Sequence, residues 1–391
     1  MHAIIIGGGI GGLAATLTLR RAGIDVSLFE QASELREVGA GIMISPNATR
    51  ILHRLGLAEP LRLAGVRPRA RQLRRWDNGR VLARAPLADV CERDFGAPYY
   101  NFHRAELLDV LVGAVADGVV HLEHRCVALT QRTDHVEVLF QNGAMADADL
   151  VVGADGIHST VRSVIVGPDS PRFSGDVAYR ALVPADRLKH LDFELDFTNW
   201  LGPNRHFVHY LVGAGARYVN LVAAVPGEWR VESWTAQGEV SAWLAEFAGW
   251  HPQIRALIEA VDTTNRWALY DRDPLPRWSV GRVTLLGDAA HAMLPRGAQG
   301  AVQAIEDAAV LAKCLARADR NDIGAALQRY QLIRKPRATQ CQERSRQNGL
   351  MFHLADGEEQ HRRDASLSDP TIGSTAGDAW LYGHDVEAEF E

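Results

Sequence analysis

At 391 residues the chain is long enough to bury a large core and to form two closely joined domains. Its composition is that of a globular protein, 47% hydrophobic and 23% charged with a formal net charge of −6, and with no basic stripe it excludes nucleic acid as a partner. No apolar run is long enough to span a bilayer, and the first strand begins at residue 2 with no room for a cleaved signal peptide, so a cytoplasmic protein away from membranes is expected.

An apolar run over residues 2–6 meets Gly7-Gly8-Gly9-Ile10-Gly11-Gly12. A helix-like stretch follows to Arg21, and a second apolar run over 25–29 ends at Glu30. Strand, tight turn, helix, parallel strand and acid in this order form a dinucleotide-binding fingerprint. Gly7 permits the turn, Gly9 lets backbone approach a pyrophosphate, and Gly12 lets the helix close on the strand. Amides of the first helical turn, from Ile10 onward, then face phosphate charge. Glu30 suits a ribose hydroxyl pair, with Gln31 beside it. A glycine turn that holds no ligand is the competing account, and the loop does not say which dinucleotide it would take.

The glycines within residues 37–44, Gly41 among them, mark a place where something passes close to backbone. Pro46 opens a helix that Gly56 ends, and residues 68–90 alternate weakly as strands about an Asp77-Asn78-Gly79 turn. His103-Arg104 begins another helix, with Leu107, Val110, Leu111 and Val115 on its apolar side. Residues 119–140 read as strands closed by Gln141-Asn142-Gly143. A buried strand over 148–154 then ends at Asp155-Gly156, and a helix that includes Arg162 follows. Taken alone, that segment is as readily a plain strand–turn–helix.

From 171 to 280 helical periodicity fades and alternation rises, in 178–183, 206–212 and 218–225, the last two joined by Gly213-Ala214-Gly215-Ala216. This β-rich insertion is assigned as a substrate domain, with helices over 240–247 and 252–260. Strand 206–212 puts His206, Val208, Tyr210 and Val212 on one face. An imidazole and a phenol there could deprotonate and orient a phenolic ring, since histidine titrates near working pH. A core histidine with a satisfied hydrogen bond is the alternative.

Residues 283–288 form a buried strand ending at Asp288, at the sheet edge where ligands bind. A loop over 289–300, with Pro295 and Arg296, leads into a helix opened by Gln299-Gly300-Ala301, whose free amides favour an anion. Asp288 as a simple helix cap is the other account. Arg296 either pairs with a substrate carboxylate or lies on the surface. Helices continue to about 352, and residues 353–391 read as an irregular, acid-rich tail. The scattered Cys91, Cys126, Cys314 and Cys341 have neither CxxC nor metal spacing, so reduced thiols and no metal are expected.

Residues 7–30, 153–162 and 287–307 in combination resemble the FAD-dependent aromatic hydroxylases, the group A flavin monooxygenases, over essentially the whole chain. The resemblance implies an α/β fold in which a Rossmann-type FAD-binding domain with its GxGxxG loop spans 1–170 and 281–352. A β-rich substrate domain is inserted at 171–280, the C-terminal region is helical, and 353–391 is irregular. It also implies that Gly7, Gly9, Ile10, Gly12, Glu30 and Gln31 hold the ADP half of FAD, with Gly41, Arg104 and Val127 as further FAD contacts. Asp155 and Gly156 would serve both FAD and the reducing pyridine nucleotide. Asp288 would take the ribityl chain, and Gln299, Gly300 and Ala301 would face the flavin pyrimidine.

A second GxGxxG is lacking, so NADH or NADPH would dock transiently, with Arg36 and Arg162 as candidate contacts. The hydroxybenzoate, salicylate and hydroxynicotinate branches are the most similar. Their active-site histidine and tyrosine fall on His206 and Tyr210, with Val208, Pro295 and Arg296 toward the substrate, although loop 293–300 departs from their pattern. The implied activity uses NAD(P)H and O₂ to hydroxylate a small phenolic or hydroxypyridine carboxylic acid through a flavin C4a-hydroperoxide, in an enzyme that is commonly a homodimer. The alternatives are an FAD oxidoreductase without oxygen insertion and a non-catalytic flavin-binding regulatory protein.

Overall fold

The computed structural model describes residues 1–35, 40–191, 194–230, 236–369 and 375–390. Two large sheets organise the chain. One has six strands in the order Ser279–Val280, Val283–Leu285, Leu150–Gly153, His2–Ile6, Asp25–Phe29, Val120–His121, parallel throughout except for the antiparallel Ser279–Val280 edge. Its central strands are apolar on both faces because both are covered, by helices and by a small antiparallel sheet whose Val136, Val138 and Phe140 join the same core. Ala3 through Ile5 and Leu150 through Val152 are fully buried, with the helices Ile10–Arg21 and Gly300–Leu315 packed against them. The Thr18 hydroxyl donates to Ala308 O at 3.0 Å across those two helices.

Register decides what this sheet can do. Ile6 pairs with both Phe29 and Gly153, and Gly153 pairs with Leu285. The chain therefore leaves four neighbouring strands at one level, into Gly7, Glu30, Ala154 and Leu286. Three motifs far apart in sequence are brought to one carboxyl edge, where an open α/β sheet offers its ligand crevice.

The second sheet has eight strands, ordered Gln237–Gly238, Thr264–Asp271, Arg172–Pro184, Tyr218–Pro226, Arg205–Val212, Phe197–Gly202, Ala70–Arg75, Val81–Pro86. Six come from residues 171–280, and two come from residues 70–86, earlier in the chain. Ala70–Arg75 joins parallel to Phe197–Gly202, which covers an edge that would otherwise stand open. One face of this sheet packs on Val240–Glu246 and Pro252–Glu259 through Trp243, Phe247, Ile254 and Leu257. The other face looks toward the parallel-sheet unit. Smaller sheets pair Gly41–Ile44 with Tyr100–His103, and join Cys126–Gln131, Val136–Phe140 and Met145–Ala148.

The tail departs from expectation. Glu358–Leu367 is a helix where irregular chain was expected. Its buried stripe is Gln360, Arg363, Asp364 and Leu367, a helical spacing built mostly from polar side chains, so no apolar periodicity advertises it. Asp364 answers Arg80 at 3.1 Å and Arg363 at 2.8 Å. All four cysteines are free and buried, and burial lifts the thiol of Cys341 to about 12, which leaves it inert. Among the described residues no helix is long and apolar enough to cross a membrane, and no cluster of His, Cys, Asp and Glu could hold a metal ion.

Candidate active site

The glycine loop is built around backbone contacts that no side chain could share. Gly7 has φ +108°, and a Cβ there would run into the Ala154 carbonyl. A Cβ at Gly12 would overlap the Gly7 carbonyl, so the helix Ile10–Arg21 closes on the turn only because that position is glycine. Gly9 is different, since a Cβ there would meet nothing within 4 Å. The space beside Gly9, in front of the first amides of a 12-residue helix, is an opening of the kind a pyrophosphate occupies. Ile10 is buried behind it. The Glu30 carboxylate accepts the Gly8 N–H at 2.6 Å and the Ala32 N–H at 2.9 Å, and Gln31 beside it is exposed. Val127 is 45% exposed at an irregular step in its strand, which leaves an apolar side chain uncovered.

Asp155 and Arg162 both bond to neighbouring parts of the fold. The Asp155 carboxylate accepts the Ser159 hydroxyl and the amides of Thr160 at 2.7 Å and Val161 at 3.2 Å, closing the start of the helix Thr160–Val166. Burial raises its pKa although those bonds pull the other way. Gly156, at φ +76°, leaves open space where a Cβ would stand. Arg162 is 2% exposed and grips Asp169 at 2.6 Å and Ala289 O at 3.2 Å. The expectation of a docking contact for a pyridine nucleotide at Arg162 is corrected, because its guanidinium is enclosed and its charge answered. The companion candidate, Arg36, lies outside the described residues.

Asp288 contrasts with these. It is exposed at the sheet edge, with Oδ1 facing Gly300 3.8 Å from where that residue's Cβ would be, and it makes no hydrogen bond among the described residues. Its charge is felt by Arg104, whose guanidinium burial holds below its ordinary value. Gln299 is buried, donating to the Ser45 hydroxyl at 3.1 Å and accepting from Gln303 at 3.2 Å, which leaves the amides of Gly300 and Ala301 to open the 16-residue helix. An acceptor for sugar hydroxyls, an open glycine cradle and two helix N-termini on one edge together fit FAD.

Across from this edge stands the inner face of the eight-stranded sheet. On Arg205–Val212, His206, Val208 and Tyr210 point the same way and are 6%, 9% and 3% exposed. Cross-strand pairing puts Arg180 beside Val222 and Val222 beside Val208, while Asn220 stands beside Tyr210, so all belong to this face. Burial lowers the His206 imidazole to about 4, below the near-neutral titration expected of it, so it is neutral at working pH and holds a proton only weakly. Burial also lifts the Tyr210 phenol to about 12 against the pull of Arg180, so it stays a donor. Arg180 lies over the Trp267 ring at 4.6 Å.

Gly41 is one place where the two halves touch. Its N–H donates to Asn220 Oδ1 at 2.8 Å, and a Cβ would stand 2.6 Å from the Tyr210 hydroxyl. Gly41→Ala is therefore expected to push the phenol away, costing about 1–3 kcal/mol in stability and lowering turnover about 10- to 100-fold. Denaturation midpoints and kcat together check this, and a variant with wild-type kcat would show that Tyr210 is not held by this contact.

Loop residues 292–299 meet the same face. Leu294 packs on Ala178, Ala224 and Trp267, and Pro295 is exposed. Arg296 takes neither of its expected places. Its side chain is 7% exposed and ion-paired with Asp176, with Asn348 donating to its carbonyl at 2.9 Å, so it lies neither on the surface nor free to meet a carboxylate. Sequence reasoning missed Arg180, Asn220 and His353. Arg180 and Asn220 could have been found by alternation once strand pairing was known. No local signal marks His353, which reaches His206 from 147 residues away.

Residues 1–345 match the family described as FAD binding domain. The chain is 46% identical over 383 residues to the 3-amino-4-hydroxybenzoate 2-monooxygenase PtmB3 of Streptomyces platensis, spanning 98% of this chain and 96% of that one. It is 36% identical over 384 residues to the 6-hydroxynicotinate 3-monooxygenase of Pseudomonas fluorescens, spanning 98% and 94%. Among solved structures, Klebsiella pneumoniae HpxO complexed with FAD and uric acid superposes with a TM-score of 0.86 at 27% identity, over 99% of this chain and 97% of that one.

Proposed function

The chain belongs to the FAD binding domain family of aromatic-hydroxylating monooxygenases, and on that premise we propose that it uses NAD(P)H and O₂ to hydroxylate a small phenolic or hydroxypyridine carboxylic acid. The observation that carries this reading is the sheet face on which neutral His206 and protonated Tyr210 stand opposite the open cofactor edge. In this reading the parallel-sheet unit is the Rossmann-type FAD domain and the eight-stranded sheet is the substrate domain. Gly7, Gly9, Ile10, Gly12 and Glu30 hold the ADP half, Asp288 takes the ribityl hydroxyls, and Gly300 and Ala301 direct their amides at the flavin ring. Bound FAD, reduced by the pyridine nucleotide, supplies the activated oxygen.

The chain's own residues prepare the ring. His206 accepts the proton of a ring hydroxyl, and the resulting phenolate pushes electron density onto the carbon to be hydroxylated. His206 and Tyr210 are four residues apart on one strand, about 13 Å between Cα atoms, too far to share one hydroxyl. They therefore serve opposite ends of the substrate. Tyr210 donates to the far end, where the charge of Arg180 suits a carboxylate. Val208 lies between them as an apolar floor, and the surrounding buried wall excludes water.

The test is a screen of 3-amino-4-hydroxybenzoate, 3-hydroxybenzoate, salicylate and 6-hydroxynicotinate for stimulated NAD(P)H oxidation under ¹⁸O₂. One or more is expected to stimulate oxidation and to yield a product carrying a single ¹⁸O atom. Stimulated oxidation without label in any product would instead make the protein a flavin oxidoreductase that inserts no oxygen.

A further inference from the structure

We propose that His353 is the exit of a two-histidine proton relay, passing the proton that His206 takes from the substrate out to solvent. The inference rests on the assignment of His206 as the base and adds what becomes of the proton. His206 Nδ1 and His353 Nε2 are 2.7 Å apart, with ring centroids separated by 5.0 Å. A contact of that length between two imidazoles is a hydrogen bond in which one ring donates and the other accepts. His206 is buried, and the Phe352 ring packs on it at 5.4 Å. His353 is partly exposed, at the end of the helix Ile323–Phe352. Asn204 N–H donates to its carbonyl at 2.9 Å, tying the helix end to the turn before the His206 strand. The pair thus runs from the enclosed sheet face to the surface.

Charge around the pair keeps a proton from resting on it. His353 faces His206 and Arg205 from the strand and Arg296 from the loop, with Arg205 answered by Glu246 at 2.7 Å and Arg296 by Asp176. Burial first, then His206 and the two arginines, hold the His353 imidazole down to about 2. A ring with so little hold on a proton would hand it straight back to a phenolate unless the proton could leave. In the relay the substrate hydroxyl gives its proton to His206 Nε2, His206 Nδ1–H gives its proton to His353 Nε2, and His353 Nδ1–H gives its proton to water. One proton leaves the protein, the substrate remains as phenolate, and each ring ends in its other tautomer. Reprotonation of the product from His206 Nε2 runs the chain inward and restores both tautomers.

The FAD-loaded enzyme is mixed with an acid that stimulates NAD(P)H oxidation in the screen above, in weak buffer containing a pH-indicator dye, and the rate of proton release is followed. His353→Gln keeps a side-chain hydrogen bond to His206 but cannot relay, and is expected to slow release about tenfold at neutral pH, with recovery as pH rises. His353→Ala opens room for added imidazole, which is expected to restore the rate. FAD content of both variants reports folding. Slowing in both without recovery by imidazole marks a packing role and overturns the relay. Release at the wild-type rate in both, with none from His206→Asn, also overturns the relay and leaves His206 as the base. Wild-type release from His206→Asn, or no release from the wild-type enzyme, overturns the base assignment and the relay with it.

Discussion

Replacing His206 by asparagine is expected to lower kcat by about 10²- to 10⁴-fold, the range that a positioned general base contributes. The asparagine amide fits the space and can still face His353, so the sheet and the bound FAD should survive. It accepts no proton at working pH. KM should change little, because Val208 and Tyr210 still line the face. Activity should recover as pH approaches 10, where a phenol ionises unaided. A pH profile of kcat for variant and wild type checks this directly, and a variant within threefold of wild type at neutral pH would remove His206 from the chemistry.

The second large effect is expected far from the substrate. Arg334→Leu should destabilise the protein by about 3–5 kcal/mol, because it removes the cation that two buried carboxylates share. The Arg334 side chain is 1% exposed and grips two fully buried acids, Glu306 at 2.6 Å and Asp307 at 2.8 Å. Arg337 completes Glu306 at 2.8 Å, and His291 completes Asp307 at 2.6 Å. The cluster bears on the site because Asp307 also accepts the Gly287 N–H at 3.0 Å and Glu306 accepts from Asn47 at 2.5 Å. It therefore pins the turn before Asp288.

Burial alone would raise both carboxyls. Arg334 and Arg337 outweigh it on Glu306, as His291 and Arg334 do on Asp307, and both are held below their ordinary 4.5 and 3.8. A depressed carboxyl contributes stability that is present above its unfolded pKa and is lost as pH falls through its folded one. The wild-type advantage over Arg334→Leu should therefore be full at pH 7 and shrink below about pH 4. Denaturant midpoints at pH 7 and in mild acid measure both points. A loss under about 1 kcal/mol at pH 7 would mean that relaxation or water replaces the guanidinium.

Local features of the chain were legible where one short stretch specifies its own geometry. Gly7, Gly9 and Gly12 each answer a backbone demand set within a dozen residues, and the structure shows the two collisions and the one opening that those demands predict. Asp155 was ambiguous for a physical reason. An aspartate between a strand and a helix is equally suited to a ligand and to the first helical amides, and here it accepts two of those amides. Arg162 and Arg296 were misplaced because the sequence does not show which arginine will meet an aspartate from a neighbouring segment. Asp169 and Asp176 close both questions. The helix Glu358–Leu367 was missed because its buried stripe is polar.

By itself, then, the sequence determined that a glycine turn joins the first strand to its helix, which residues turn the chain there, and that His206, Val208 and Tyr210 share one strand face. All of these follow from spacing within single elements, where backbone periodicity alone decides which way a side chain points. Only the tertiary structure decided what those groups face. Strand register aligned Gly7, Glu30, Ala154 and Leu286 on one edge, sheet pairing set Arg180 and Asn220 on the face of His206 and Tyr210, and a helix ending at Phe352 delivered His353 to His206. Contacts between separate elements depend on how those elements pack, and no pattern within one element carries that information.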